Sequence, residues 1–188
     1  MRKKDEEKLQ SIREAVIKLL LKEGFQGASI AKIAKEAGIS PATIYIYYQN
    51  KDDMLRDVYR QYGEHMYEHL INRISDDMSG ELLLETLVRS YYEYITRNKE
   101  AFYFVEQYAS CPALVSDCEE MEGCAQMGLL FDQLKLRKII KKVDNTVIIA
   151  ILFNPIKNIA VKHFKQDGNA ELALNELIKL IQDALLIR

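Results

Sequence analysis

Residues 29–51 hold two short apolar-periodic segments that each open with a helix-capping residue and are separated by a glycine turn, and this pattern restricts the fold more than any other part of the chain. Ser29 is an N-cap candidate, because its hydroxyl can accept from a free N–H in the first turn, and the segment behind it carries Ile30, Ile33, Ala34 and Ala37. Gly38 supplies the positive φ of a tight turn. Ser40-Pro41 then opens the next segment, with proline at the first helical position, where its missing N–H costs nothing. The run Ala42-Thr43-Ile44-Tyr45-Ile46-Tyr47-Tyr48 is rich in β-branched and aromatic residues, so periodicity alone would equally allow a strand. The cap and the proline decide for a helix. Helix, turn and helix at this spacing place one short helix across another, the geometry that lays a second helix in the major groove of DNA.

The flanking segments are helical too. Leu9, Ile12, Ala15, Val16, Leu19 and Leu20 recur at three- and four-residue steps and predict a first helix that ends at Gly24. Asn50 caps a fourth helix with Asp52 and Asp53 in its first turn and Leu55, Val58, Tyr59, Tyr62 and Met66 on one side. After a break at 75–80, Leu84, Leu87, Val88, Tyr91 and Ile95 mark another helix, and residues 100–110 continue helically. Cys111-Pro112 marks a boundary. Further helices are expected over 113–136, 144–165 and 170–187, the last two separated by Gln166-Asp167-Gly168-Asn169. Neither a strand nor an internal repeat is evident. The expected class is all-α with eight or nine helices, divided into a head over 1–52 and a larger body over 53–188.

Charge is distributed unevenly between these parts. Residues 1–52 carry ten Lys+Arg against seven Asp+Glu, and residues 53–188 carry sixteen against twenty-one, so a net charge of −2 conceals a head of +3 on a body of −5. A basic end on an acidic body suits a chain that meets phosphate at one end only. Arg2, Lys3 and Lys4 extend that basic character and are expected to form a disordered basic arm. No apolar core of a secretory signal follows Met1, and no stretch of about 18 uncharged apolar residues is present. The chain is therefore expected in the cytoplasm, without a membrane partner. Cys111, Cys118 and Cys124 are odd in number and form no C-x-x-C pair, which suits buried thiols in a reducing compartment. Cys111 and Cys118 are spaced to share a helix face, and His65 and His69 stand one turn apart, but no third ligand or H-E-x-x-H pattern accompanies them, so neither metal nor cofactor is expected. There is no serine elbow or Gly-rich phosphate loop, no catalytic residue is assigned, and Glu119-Glu120 reads as a solvated face.

Gly24-Phe25, the run from Ser29 through Gly38-Ile39-Ser40, and Thr43 through Tyr47-Tyr48-Gln49-Asn50-Lys51 closely resemble, without a gap, the TetR family of bacterial regulators. The likeness covers 12–55. It implies a symmetric dimer with one recognition helix from each subunit in successive major grooves of double-stranded operator DNA. Carried over by position, phosphate contacts fall on Ser29, Tyr47 and Lys51, whose helix N-terminus, phenol and ammonium suit phosphate oxygens. Base reading falls on Ser40, Pro41, Ala42, Thr43 and Tyr45, where methyls meet thymine and hydroxyls bond either way. Relatives often place Arg at position 31, here Ala31, so no bidentate guanine contact is expected from the second helix. Lys32 and Lys35 compensate by charge. Tyr48 matches an aromatic that packs between the first and fourth helices, whereas Tyr45 and Tyr47 cannot share its direction on so short a helix.

In the body, residues 147–160 are apolar around most of the helix circumference, more than packing on one side needs. The final two helices of TetR-like proteins form a four-helix bundle between subunits, which assigns Ile151, Pro155, Ile159, Leu177, Ile181 and Leu185 to a homodimer interface. A fully buried monomer core is the alternative. Pro155 is expected to kink or split its helix. Tyr62, Met66, Tyr91, Tyr94, Tyr103 and Tyr108 are candidates to line a pocket for a small organic effector, against the plainer reading of ordinary packing. The expected function is a sequence-specific DNA-binding transcriptional regulator, a repressor released from a palindromic operator by that ligand. A constitutive or partner-controlled regulator of the same fold is the alternative, and a helical enzyme a remote one.

Overall fold

The computed structural model describes residues 2–108, 121–165 and 169–187, with side chains from Asp5 onward. Nine helices occur among them: α1 (Arg2–Gly27), α2 (Ile30–Glu36), α3 (Pro41–Tyr47), α4 (Lys51–Ile71), α5 (Gly80–Arg97), α6 (Lys99–Tyr108), α7 (Glu122–Leu136), α8 (Asn145–Phe164) and α9 (Ala170–Leu185). Extended pairing among the described residues is limited to one isolated bridge, Ile140 with Leu186. The all-helical class is as expected.

Local chemistry sets most helix starts. The side chains of Ser29, Ser40, Ser79, Asp144 and Asn169 each accept from a backbone N–H two or three residues onward, which satisfies a donor that the helix leaves unpaired. Asn50 accepts from Asp53 N–H at 2.8 Å while the Asp53 carboxylate accepts from Gln49 N–H at 3.0 Å, a reciprocal cap at the start of α4. Gly24 interrupts α1 with φ 70°, and one further turn follows before α2. Gly38 turns the chain between α2 and α3 with φ 68°.

Contacts group the chain into two units, Met1–Gly63 with Lys99–Glu120, and Glu64–Asn98 with Met121–Arg188. In the first, α1 packs on α2 and α6, and α2 on α3. Its core holds Ile12, Val16, Leu20, Ile33, Ile44, Met54, Val58 and Phe104. In the second, α5, α8 and α9 pack on one another around Leu84, Leu87, Tyr91, Ile148, Leu152, Phe153, Ile178 and Ile181. Tyr91 meets Phe153 edge to face with ring centroids 4.9 Å apart, a favoured aromatic geometry. Arg89 of α5 donates to Glu171 at 2.9 Å and to Asn175 at 2.6 Å, fixing α9 against it.

The start of α7 is held from outside itself. Met121 contributes no capping side chain, and the Glu64 carboxylate of α4 accepts instead from Glu122 N–H at 2.8 Å and Gly123 N–H at 2.9 Å. Gly123 permits that approach, because a β-carbon there would lie 2.3 Å from Tyr67 Cβ.

Four expectations change. Arg2, Lys3 and Lys4 do not form a disordered arm but open α1, whose helix begins at Arg2. Helix α8 runs unbroken through Pro155, so the helix is not split there. A proline has no N–H to give, so the bond that would run back from position 155 to the Ile151 carbonyl is not available. The final helix stops at Leu185, because Leu186 turns away to bridge Ile140. Ile181 and Leu185, expected at a dimer interface, are 1 % exposed within their own unit, because the Leu174-Ile178-Ile181-Leu185 stripe of α9 faces α5 and α8. The Cys111-Pro112 boundary, Cys111, Cys118, the helix start at 113, Glu119-Glu120 and residues 166–168 lie outside the described residues.

Candidate functional site

The α2–turn–α3 unit is built around Ile44, fully buried, with Ile33 and Ala34 of α2 packed in the same core. The backbone closes the turn: Ile39 N–H donates to Ala34 C=O at 2.9 Å and Gly38 N–H to Lys35 C=O at 3.2 Å. With Ile44 inward, Ala42, Tyr45 and Ile46 face outward and are exposed. The Ser40 hydroxyl caps the helix by accepting from Thr43 N–H at 3.2 Å, and it also bonds the Thr43 hydroxyl at 2.8 Å.

The end of α3 is pinned by a partly buried polar network. Tyr48 is buried, as expected, and its hydroxyl donates to Asp57 Oδ2 of α4 at 2.5 Å. Arg13 of α1 donates to both oxygens of the same carboxylate, Nε at 2.9 Å and Nη2 at 3.1 Å. A two-pronged charged pair of this kind fixes orientation as well as distance. Burial and the neighbouring Asp57 carboxylate push the Tyr48 phenol well above its ordinary range. These three side chains hold α1, the end of α3 and α4 in one arrangement, and so aim the outward face of α3.

The candidate phosphate contacts surround that face. Ser29 is exposed at the start of α2. Tyr47 is half-buried and its hydroxyl donates to Asp5 of α1 at 3.1 Å; desolvation and then Asp5 raise its pKa. Lys51 donates to the Phe25 carbonyl, and its ammonium sits 3.9 Å from the centre of the Phe25 ring. Desolvation lowers its pKa. Lys32 reaches back to Glu23 at 2.6 Å and to the Gly27 carbonyl at 3.0 Å. Two of the basic side chains therefore rest on carbonyls at the C-terminal end of α1, where the helix dipole favours cations. Sequence reasoning named Ser29, Lys32, Tyr47 and Lys51 but not the intramolecular partners Asp5, Asp57 and the α1 carbonyls, which lie far along the chain and have no local signature. It also passed over Ile46, although its place in the helix was readable from its distance to Ile44.

The six candidate pocket residues are distributed over both units: Tyr62, Tyr103 and Tyr108 in the first, Met66, Tyr91 and Tyr94 in the second. Tyr103 packs on Phe102, Tyr108 on Phe104, and Tyr94 on His69. Burial raises the Tyr62 phenol. Among the described residues no cluster of three metal-ligating side chains occurs.

Helix α8 presents an open groove of about 640 Å³ lined by Thr146, Val147, Ala150, Ile151, Asn154, Pro155 and Asn158. Ile151, Pro155, Ile159 and Leu177 are half-buried, and the outward face of α9 carries Leu172 and Leu180, 57 % and 68 % exposed. By length and composition α8 is apolar enough to cross a bilayer, while Ile148, Leu152, Phe153, Ile156 and Ala160 pack it into the core of its unit.

Residues 12–58 match the family described as bacterial regulatory proteins, tetR family. Over its length the chain is similar to an uncharacterized HTH-type transcriptional regulator of Haemophilus influenzae, 21 % identical over 85 % of each chain. Its fold resembles that of a TetR family transcription regulator from Marinobacter aquaeolei, with a TM-score of 0.85, 24 % identity and full coverage of both chains. A TetR-family protein from Vibrio parahaemolyticus superposes with a TM-score of 0.77 at 27 % identity, covering 95 % of this chain and 98 % of its own.

Proposed function

Since residues 12–58 match the TetR family and form its helix-turn-helix head, we propose that the chain is a transcriptional repressor that grips a palindromic operator as a homodimer and releases it on binding a small organic effector. The observation that carries this reading is the α2–α3 unit, in which Ile44 is buried while Ala42, Tyr45 and Ile46 are exposed on a helix pinned by Tyr48, Asp57 and Arg13. A short helix with a rigid mount and an outward face suits the major groove. In this reading Ser29, Lys32, Tyr47 and Lys51 set register on phosphates, and Ser40, Pro41, Ala42, Thr43 and Tyr45 meet base edges. Residues 1–52 carry DNA contact, and 53–188 carry dimerisation and the effector.

A second copy would cover the apolar groove of α8 together with Leu172 and Leu180, and Ile151, Pro155, Ile159 and Leu177 border that surface. Two subunits related by a twofold axis place their α3 helices on half-sites about one helical turn, roughly 34–36 Å, apart. The effector acts through α4, which begins beside the α3 face at Lys51 and ends at Ile71, so a tilt of this one helix changes the spacing of the readers.

Electrophoretic retardation of the DNA upstream of the coding sequence, with a scrambled duplex as competitor, tests the reading. Specific retardation that requires both half-sites is expected, and binding to isolated half-sites alone would refute it. Effector control is tested by titrating a ligand found by thermal shift with and without operator, because coupling must be reciprocal. Equal affinities in the two titrations would remove the ligand from the mechanism.

A further inference from the structure

We propose that Ile46, together with Ala42, reads thymine in the operator through its C5-methyl group, making Ile46 a specificity-determining residue that selects by apolar contact alone. The inference rests on the DNA-reading function above and extends it to a residue and a base chemistry.

Ala42 and Ile46 stand two residues before and two after Ile44. At 3.6 residues per turn both lie within about 20° of the direction opposite that buried side chain. They form the crest of the helix. Ile46 is 76 % exposed, and Tyr45 beside it is 59 % exposed. Isoleucine has a lower helix propensity than alanine or leucine and gains almost nothing from packing here, so the fold does not account for it.

Beside the crest, and apart from the Tyr45 hydroxyl, the polar groups already have partners within the chain. The hydroxyls of Ser40 and Thr43 bond each other, Tyr47 donates to Asp5, and Tyr48 donates to Asp57. From Pro41 to Tyr48 there is no Arg, Lys, Asn, Gln, Asp or Glu, so α3 lacks every side chain that makes a two-pronged hydrogen bond to a base edge. What the crest offers is a methyl and a branched butyl group side by side. In the major groove the one apolar feature that distinguishes a base pair is the thymine methyl. A crest of Ala42 and Ile46 gains by covering that methyl, and it leaves the exposed donors and acceptors of other base edges unmatched.

Uracil differs from thymine only by this methyl, so it isolates the contact. A preferred duplex is first selected from a random-core pool with the full-length protein, and each thymine is then replaced singly by uracil. Wild-type affinity should fall about fourfold per half-site at one thymine position, and about fifteenfold when both half-sites carry uracil, the scale of one buried methyl. Ile46→Ala should bind the thymine and uracil duplexes almost equally at that position and should accept other bases there. Its thermal midpoint should match wild type, since the residue is exposed. If no thymine-to-uracil swap weakens wild-type binding, or if Ile46→Ala keeps the full penalty, the assignment is overturned while DNA reading stands. If selection enriches no sequence at all, the proposed function itself fails, and this inference with it.

Discussion

Asp57 should be the most sensitive polar residue of the first unit, because two separate side chains depend on its carboxylate. Asp57→Ala removes three hydrogen bonds: Tyr48 Oη at 2.5 Å, Arg13 Nε at 2.9 Å and Arg13 Nη2 at 3.1 Å. The Tyr48 ring is buried, so its hydroxyl then has no acceptor, which costs about 1–3 kcal/mol. Arg13 loses its counterion, but the pair is partly open, with side-chain exposures of 15 % for Arg13 and 33 % for Asp57, so this contribution falls near the lower end of the range for charged partners, about 1 kcal/mol. The expected total is about 2–4 kcal/mol. Tyr48→Phe removes one hydrogen bond and leaves Asp57 held by Arg13, at about 1 kcal/mol. In the double variant the stranded hydroxyl is absent, so its cost should be less than the sum of the two by about 1 kcal/mol. Urea denaturation followed by far-ultraviolet circular dichroism at neutral pH gives all three values in one cycle. Additivity within about 0.3 kcal/mol, or an Asp57→Ala cost below about 0.5 kcal/mol, would show that the three side chains do not act as a unit.

The same network predicts alkaline behaviour. The Tyr48 phenol is raised above its ordinary value near 10, so its contribution is complete below that pH and is lost as pH rises, and wild type should lose stability above pH 10 more steeply than Tyr48→Phe in pH-dependent melts. Lys51→Ala should weaken binding to every DNA sequence alike and lower the slope of log affinity against log salt by about one, whereas an unchanged slope would place Lys51 off the phosphates. Leu180→Glu and Ile151→Glu should each convert a dimer to monomer in sedimentation velocity, and an unchanged dimer for both would move the interface elsewhere. Gly123→Ala should destabilise by about 1–3 kcal/mol through the clash with Tyr67, while Gly128→Ala, whose new β-carbon meets only Asn145 Nδ2 at 3.8 Å, should be neutral or stabilising by up to about 1 kcal/mol in calorimetry.

The head was legible in the sequence because its determinants are local. Ser29, Gly38, Ser40-Pro41 and Asn50 each act on backbone within three residues, so caps, turn and helix limits follow from the order of residues. The family resemblance put Tyr48 inside, and helix geometry then turned Tyr45 away from it. What could not be read depends on how helices cross. The apolar pattern of α9 allowed either the Leu174-Ile178-Ile181-Leu185 stripe or the side bearing Leu172 and Leu180 to face outward, and only packing against α5 and α8 decides between them. The tyrosines scattered from 62 to 108 look like one cluster in sequence, but they belong to two units and find separate ring partners. Asp5, Asp57 and Glu64 had no signature because their partners lie far along the chain.

The Glu64 carboxylate closes the first turn of α7 across 58 residues of sequence. A helix of 15 residues is marginal in water by itself, and one that starts at Met121 without a capping side chain is weaker still. The first turn of α7 therefore depends on α4: without Glu64 its Glu122 and Gly123 N–H groups lose the acceptor that caps them. A helix end held by one distant carboxylate is a low-stability site, so amide exchange at Glu122 and Gly123 should be faster than in the core of α5, α8 and α9, and Glu64→Gln should speed it further.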